Sequence, residues 1–147
     1  MVRSKPSLDD VYDLVQPEFC YVDQMLGRRD KRQMSIADIP QLERDLYLVF
    51  DLVAITCNAG MLTWVQYHHD EEGWIKLAQE AFIRINHKQV SDGLEECLLI
   101  YRQKQGSLTH NADDSQSRYI FDREGEIMMS LYFYLTSAGF SFPHFGK

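Results

Sequence analysis

Apolar residues recur at three- and four-residue intervals along most of this chain, the spacing of helices with one buried face. The strongest segment, Leu46 to Cys57, is apolar almost all the way round and is interrupted by a single carboxylate, Asp51. A helix of that kind belongs in the middle of a bundle. Asp38 is placed to cap it and Pro40 lies near its start, while Asn58-Ala59-Gly60 forms a stop signal. A second apolar, aromatic segment, Met61 to Tyr67, follows at once, and His68 to Gly73 reads as a polar turn. Trp74 to Ile85 repeats the helical pattern through Leu77, Ala78, Ala81 and Phe82; Val90 to Tyr101 continues it through Leu94, Cys97 and Leu98. Four successive helices joined by short turns pack as antiparallel neighbours.

The two ends are patterned differently. Ser7 is suited to cap a short helix over Leu8 to Val15, with Asp9 and Asp10 in the first turn where the helix dipole favours anions. Pro17 suits the first turn of a second short helix that carries Phe19, Val22 and Leu26 and stops at Gly27. Arg28 to Arg32 reads as a solvated, charged connector. Gln105 to Ser117 is the longest loop, and a last helix over about Arg123 to Ser137 presents Ile127, Met128, Leu131 and Leu135 to the core. The aromatic tail from Phe140 to Phe145 is expected to dock back on the bundle. There is no internal repeat and no sustained two-residue alternation. The expected fold is all-α: a single-domain, compact multi-helix bundle over 1–147, with 1–37 peripheral and 38–142 forming the core.

With 147 residues, such a bundle buries about two-thirds of the unfolded chain's surface. The 22 acidic and 15 basic residues give a net charge of −7, which repels phosphate and argues against direct DNA or RNA binding. Cys20, Cys57 and Cys97 are widely separated, odd in number and without a CxxC pair, as expected of thiols in a reducing compartment. No apolar run follows the first basic residues, and none approaches membrane-spanning length. The expectation is a cytoplasmic protein without membrane contact.

Few residues are grouped for chemistry. His68-His69-Asp70-Glu71-Glu72 holds metal-ligating types, but adjacent residues diverge on a helix, and neither HExxH nor Glu-x-x-His is present. A solvated acidic turn is the simpler reading, so no metal or cofactor is assigned. Cys97 lies among Leu94, Leu98 and Tyr101, where a thiol is inert, and the scattered glycines form no phosphate loop. Asp51 is more informative. Tyr47, Asp51, Ile55 and Asn58 share one helical stripe, so an inward Asp51 would need a partner from Tyr47, Asn58 or the backbone of the corner. Asp51, Asn58, Gly60 and Gln66 could then line a small polar pocket. In the simpler alternative Asp51 points to solvent and Asn58 only caps. Further acids, Asp70, Glu71, Glu72, Glu95, Glu96, Asp113, Asp114, Asp122, Glu124 and Glu126, together with Asp9, Asp10 and Asp13, could form a surface that imitates a nucleic-acid backbone.

At the Asn58 corner the sequence resembles a bacterial family of small acidic helical domains that includes DNA-mimic proteins. Its Asn-Gly-Gly-aromatic stretch is matched by Asn58, Gly60 and Met61, with Ala59 in place of the middle glycine. Thr63 stands at the family's glutamine, Trp64 at an aromatic, and Gln66-Tyr67 repeats the expected dipeptide one turn late. Ala78 to Ile85 resembles the family's alanine-rich helix, and Tyr132-Phe133-Tyr134 with Phe140 and Phe142 its aromatic last helix. The resemblance spans roughly Leu46 to Phe142. It implies an all-helical domain, often a homodimer, that acts by protein–protein contact, with an acidic surface occupying the DNA-binding face of a basic partner. The expected function is therefore a non-enzymatic acidic interaction protein with no catalytic residues. An immunity protein neutralising a toxin is one alternative. A metal-dependent or hydrolytic enzyme around Asp51, Asn58, His68 and His69 is another.

Overall fold

The computed structural model describes residues 5–27, 34–71, 73–104 and 115–146. These form six α-helices and no strand: α1 (Leu8–Leu26), α2 (Gln41–Ala59), α3 (Met61–His68), α4 (Trp74–Arg84), α5 (Lys88–Lys104) and α6 (Ser115–Ser137). A single 3₁₀ turn, Ile36–Asp38, precedes α2. The fold is the expected all-α bundle.

Helix α2 is its axis. It packs against α1, α3, α4 and α6, while α5 closes the far side against α3, α4 and α6. The sequence reason is local: Asp45 through Val49 are buried consecutively, which only a helix surrounded on every side permits. Trp64, Phe82, Leu46, Leu52 and Ile127 have no more than 2% of their surface exposed and form the centre of the core.

Three boundaries differ from those expected of the sequence. Pro17 does not start a second helix; it sits inside a continuous α1, which therefore spans 19 residues. The helix survives because the N–H that proline lacks costs one backbone bond, while Val11, Val15, Val22 and Leu26 on the same face all bury against the core. For the same reason α1, expected as part of a peripheral segment, is not peripheral: it packs on both α2 and α6. Asp38 does not cap α2, since it closes the 3₁₀ turn and Pro40 occupies the cap position. The last helix begins at Ser115 rather than near Arg123. Arg123 (φ −130°, ψ 19°) marks a break within α6, and the pattern seen in sequence is the part beyond that break. Of the expected loop, 105–114 lies outside the described residues, as does the whole charged connector, Arg28 to Arg32. The tail does dock back, with Phe142 buried beside Tyr132 and Phe140.

Candidate functional site

The α2–α3 corner is built on Gly60. Its φ of 93° lies in the region that side-chain-bearing residues avoid, and its N–H closes α2 onto the Thr56 carbonyl at 2.9 Å. The first N–H of α3, from Met61, donates to Ser117 Oγ of α6 at 2.9 Å in a buried setting. The orphaned donor of the new helix is thus satisfied from across the bundle rather than locally. Asn58 is exposed and donates back to the Ala54 carbonyl (2.9 Å), so it neither caps the corner nor faces a pocket. The reading of Asn58 as the cap is corrected accordingly. Gln66 contributes its main-chain carbonyl, which accepts from His69 Nδ1 at 2.8 Å. That fixes the His69 tautomer, and Tyr101 donates to its Nε2 at 3.1 Å.

Asp51 does not point to free solvent. Its Oδ2 accepts from Trp64 Nε1 at 2.9 Å, tying α3 to α2, and lies 3.6 Å from His68 Nε2. His68 Nδ1 is 3.0 Å from Glu71 Oε1. The imidazole therefore lies between two carboxylates, and it stacks flat on Trp74 with centroids 4.2 Å apart at 4°. Tyr47, a neighbour of Asp51 on the helix, donates instead to Asp23 of α1 at 2.9 Å. Its phenol is held well above the ordinary range by burial, then by the charges of Asp51 and Asp23. The four residues grouped from sequence thus separate: Asp51 joins Trp64 and His68, Gly60 turns the chain, and Asn58 and Gln66 stand apart. Asp51, Trp64, His68 and Glu71 thus engage one another as a structural joint between α2, α3 and the turn that follows. Among the described residues no group of three or more His, Cys, Asp or Glu is arranged to hold a metal ion.

Two buried carboxylates had no visible signal in the sequence. Asp45 is fully buried and receives Arg84 in a bidentate pair (2.8 and 2.7 Å) together with the Tyr134 hydroxyl at 2.8 Å. Glu18, also fully buried, receives the main-chain N–H and Nδ1 of His144, both at 2.6 Å. His87 is buried between Tyr119 (2.8 Å) and Ser130 (3.0 Å); burial pushes its pKa down, with Glu126 opposing and Arg123 adding to the shift.

The outer acids behave differently. Asp122 and Glu126 of α6 are exposed, as are Asp92, Glu95 and Glu96 of α5 and Asp9, Asp10 and Asp13 of α1. Neutral groups hold several of the carboxylates in place. Tyr12 donates to Glu124 at 2.6 Å, Gln116 to Glu96 at 2.9 Å and Gln79 to Glu95 at 3.2 Å. Glu124 in turn, after burial, pushes the Cys57 thiol up to about 11. The ion pairs among the described residues go elsewhere, to Asp45, Glu18, Asp51 and Glu71. Helix α6 packs against both α1 and α5. Leu8 of α1 lies against Gly125 of α6, and Gly93 of α5 lies against Gln116 at the start of α6. Arg118 and Arg123 punctuate the same helix, the latter 4.3 Å over the Tyr119 ring. Asp70 and Glu71 belong to the α3–α4 turn, with Glu71 drawn onto His68; Glu72, Asp113 and Asp114 lie outside the described residues. Asp92, one turn from Glu96, was missed, and its four-residue spacing was the available signal.

No family model, curated protein or solved structure matches this chain. Among the described residues, no helix is long and apolar enough to cross a membrane.

Proposed function

We propose that this protein is a non-enzymatic acidic interaction protein, which offers the carboxylates of α1, α5 and α6 to a basic protein surface in place of a nucleic-acid backbone. The observation that carries the reading is the way charge is compensated. The buried carboxylates receive cationic or imidazole partners, whereas Glu95, Glu96 and Glu124 are held by amide and phenol donors that fix their position and leave their charge intact. Asp92 and Glu96 of α5 repeat at one helical turn, about 6 Å along the axis. Like charges at that spacing disfavour the isolated helix, and a cationic partner relieves the repulsion. The resemblance to acidic DNA-mimic domains points the same way. The partner class is a basic DNA-binding or regulatory protein, and a cytoplasmic location fits three free thiols.

Immobilised protein should capture a basic DNA-binding protein whose retention falls steeply between about 50 and about 200 mM salt and is competed by duplex DNA. Capture that ignores both salt and DNA would sink the proposal.

A further inference from the structure

After α6 the chain crosses back to α1. Phe142 is the apolar anchor of this segment: it is 6% exposed, stacks on Tyr132 and meets Phe140 edge-on. It does so with φ at 51°, a left-handed conformation that an aromatic residue adopts only when its surroundings impose it. Two residues on, His144 supplies the polar contact. Its N–H and its Nδ1 take one oxygen each of Glu18, and its ring stacks on Tyr21 with centroids 3.9 Å apart.

The place where His144 sits is unusual for its charge. Pro143 and His144 close one side of a cavity of about 440 Å³ whose other walls include Glu18, Asp38, Glu43, Met25 and Met34. Three carboxylates thus face one imidazole, and no lysine or arginine among the described residues lines the space. The Glu43 carboxyl is held above its ordinary pKa by burial and then by the charge of Glu18, with His144 opposing the shift. A carboxylate with no exposed surface needs a cation or strong donors, and here the tail is what provides them. The methionines add adaptable apolar wall of the kind that accommodates a long side-chain stem.

We propose that residues 140–146 are an autoinhibitory strap, in which His144 occupies a recess at Glu18 built for a lysine or arginine side chain of the partner. This inference rests on the reading of the protein as a binder of basic proteins, and it adds a specific pocket to that surface. Partner engagement would lift the strap, exchange the imidazole for the incoming ammonium or guanidinium, and free Phe142 from its strained conformation.

Two measurements on the full chain test the strap. In His144→Ala, hydrogen exchange over 140–146 should speed up by about tenfold or more, with α2 and the second half of α6 unchanged. A hexalysine peptide, followed by backbone NMR shifts around Glu18 and Glu43, should bind the variant about tenfold more tightly than the wild type, and Glu18→Gln in that background should remove the gain. His144→Gln, which keeps the main-chain donor and one side-chain donor, should fall between the two. It serves as the readout if His144→Ala loses protection throughout the core. Unchanged exchange in the tail overturns the inference, as does a released tail without tighter peptide binding or a gain that survives Glu18→Gln. If Glu96→Gln and Glu124→Gln weaken capture of the basic partner while His144→Ala gains nothing, the strap is refuted and the acidic-face reading stands. A His144→Ala gain with capture indifferent to Glu96→Gln and Glu124→Gln supports the strap and refutes the acidic face.

Discussion

Replacing Asp51 with alanine tests the corner most sharply, because among the described residues the carboxylate is the acceptor that Trp64 uses. The indole ring is fully buried and its Nε1–H lies 2.9 Å from Asp51 Oδ2. Removing the acceptor leaves a buried donor unpaired, and hydrogen bonds to charged groups contribute about 1.5–3 kcal/mol net. The His68 contact, longer at 3.6 Å and partly exposed, adds little to this. A loss of about 2 kcal/mol is therefore expected, equivalent to a fall in Tm of about 4–8 °C for a chain of this size. Asp51→Asn keeps an acceptor oxygen but not the charge and should lose about half as much. Trp64→Phe removes the donor, and urea melts of the single and double variants, read by circular dichroism, give the coupling energy. That coupling should be about 1.5 kcal/mol. A coupling near zero, with Asp51→Ala within about 0.5 kcal/mol of wild type, would refute the joint and restore the solvent-facing Asp51.

Gly60→Ala should cost about 1–3 kcal/mol through its positive φ, whereas Asn58→Ala, at an exposed site bonded within its own helix, should stay within about 0.5 kcal/mol; denaturant melts separate the two. Asp45→Ala leaves Arg84 without its bidentate partner and should cost about 3 kcal/mol, the low end for a broken buried pair because the Arg84 side chain is 28% exposed. His87 is held neutral, so below its ordinary pKa of 6.5 the unfolded chain binds the proton more readily than the folded one. Its contribution is present above that value and lost as pH falls through it toward the folded pKa. His87→Gln should therefore flatten the fall in Tm on acidification, and a wild type that gains stability from His87 on acidification contradicts the assignment.

The helical periodicity carried the architecture because burial enforces it: the segment around Leu46 to Val53, apolar on nearly every side but for Asp51, belongs in a central helix, and α2 is one. Boundaries were less legible where packing outweighed a local rule. Pro17 by itself suits the first turn of a new helix, but the apolar stripe on both sides of it continues in phase, and burial of Val15 and Val22 prevails. Buried carboxylates were legible only when the surrounding sequence was apolar. Asp51 stood out on those grounds, whereas Asp45 follows Glu43 and Arg44 and looks like part of a polar helix start. Its partners, Arg84 and Tyr134, come from 39 and 89 residues away, and Glu18 meets His144 across 126 residues. No local pattern encodes such pairs. The positions of the outer acids were legible one helix at a time, but not the neutral donors that hold them, since Tyr12 and Gln116 reach them only across helix contacts.

Whether the α1–α5–α6 acids engage a basic partner through their charge is decided by one binding series. It measures the affinity of the captured partner for the Glu96→Gln, Asp122→Asn, Glu124→Gln triple variant as a function of salt. Each substitution keeps the shape and an acceptor oxygen, so the fold should be retained. Affinity should fall by about tenfold or more at low salt, and its dependence on salt should become shallower. An unchanged affinity and salt slope in a folded triple variant would contradict the engagement of these acids by charge.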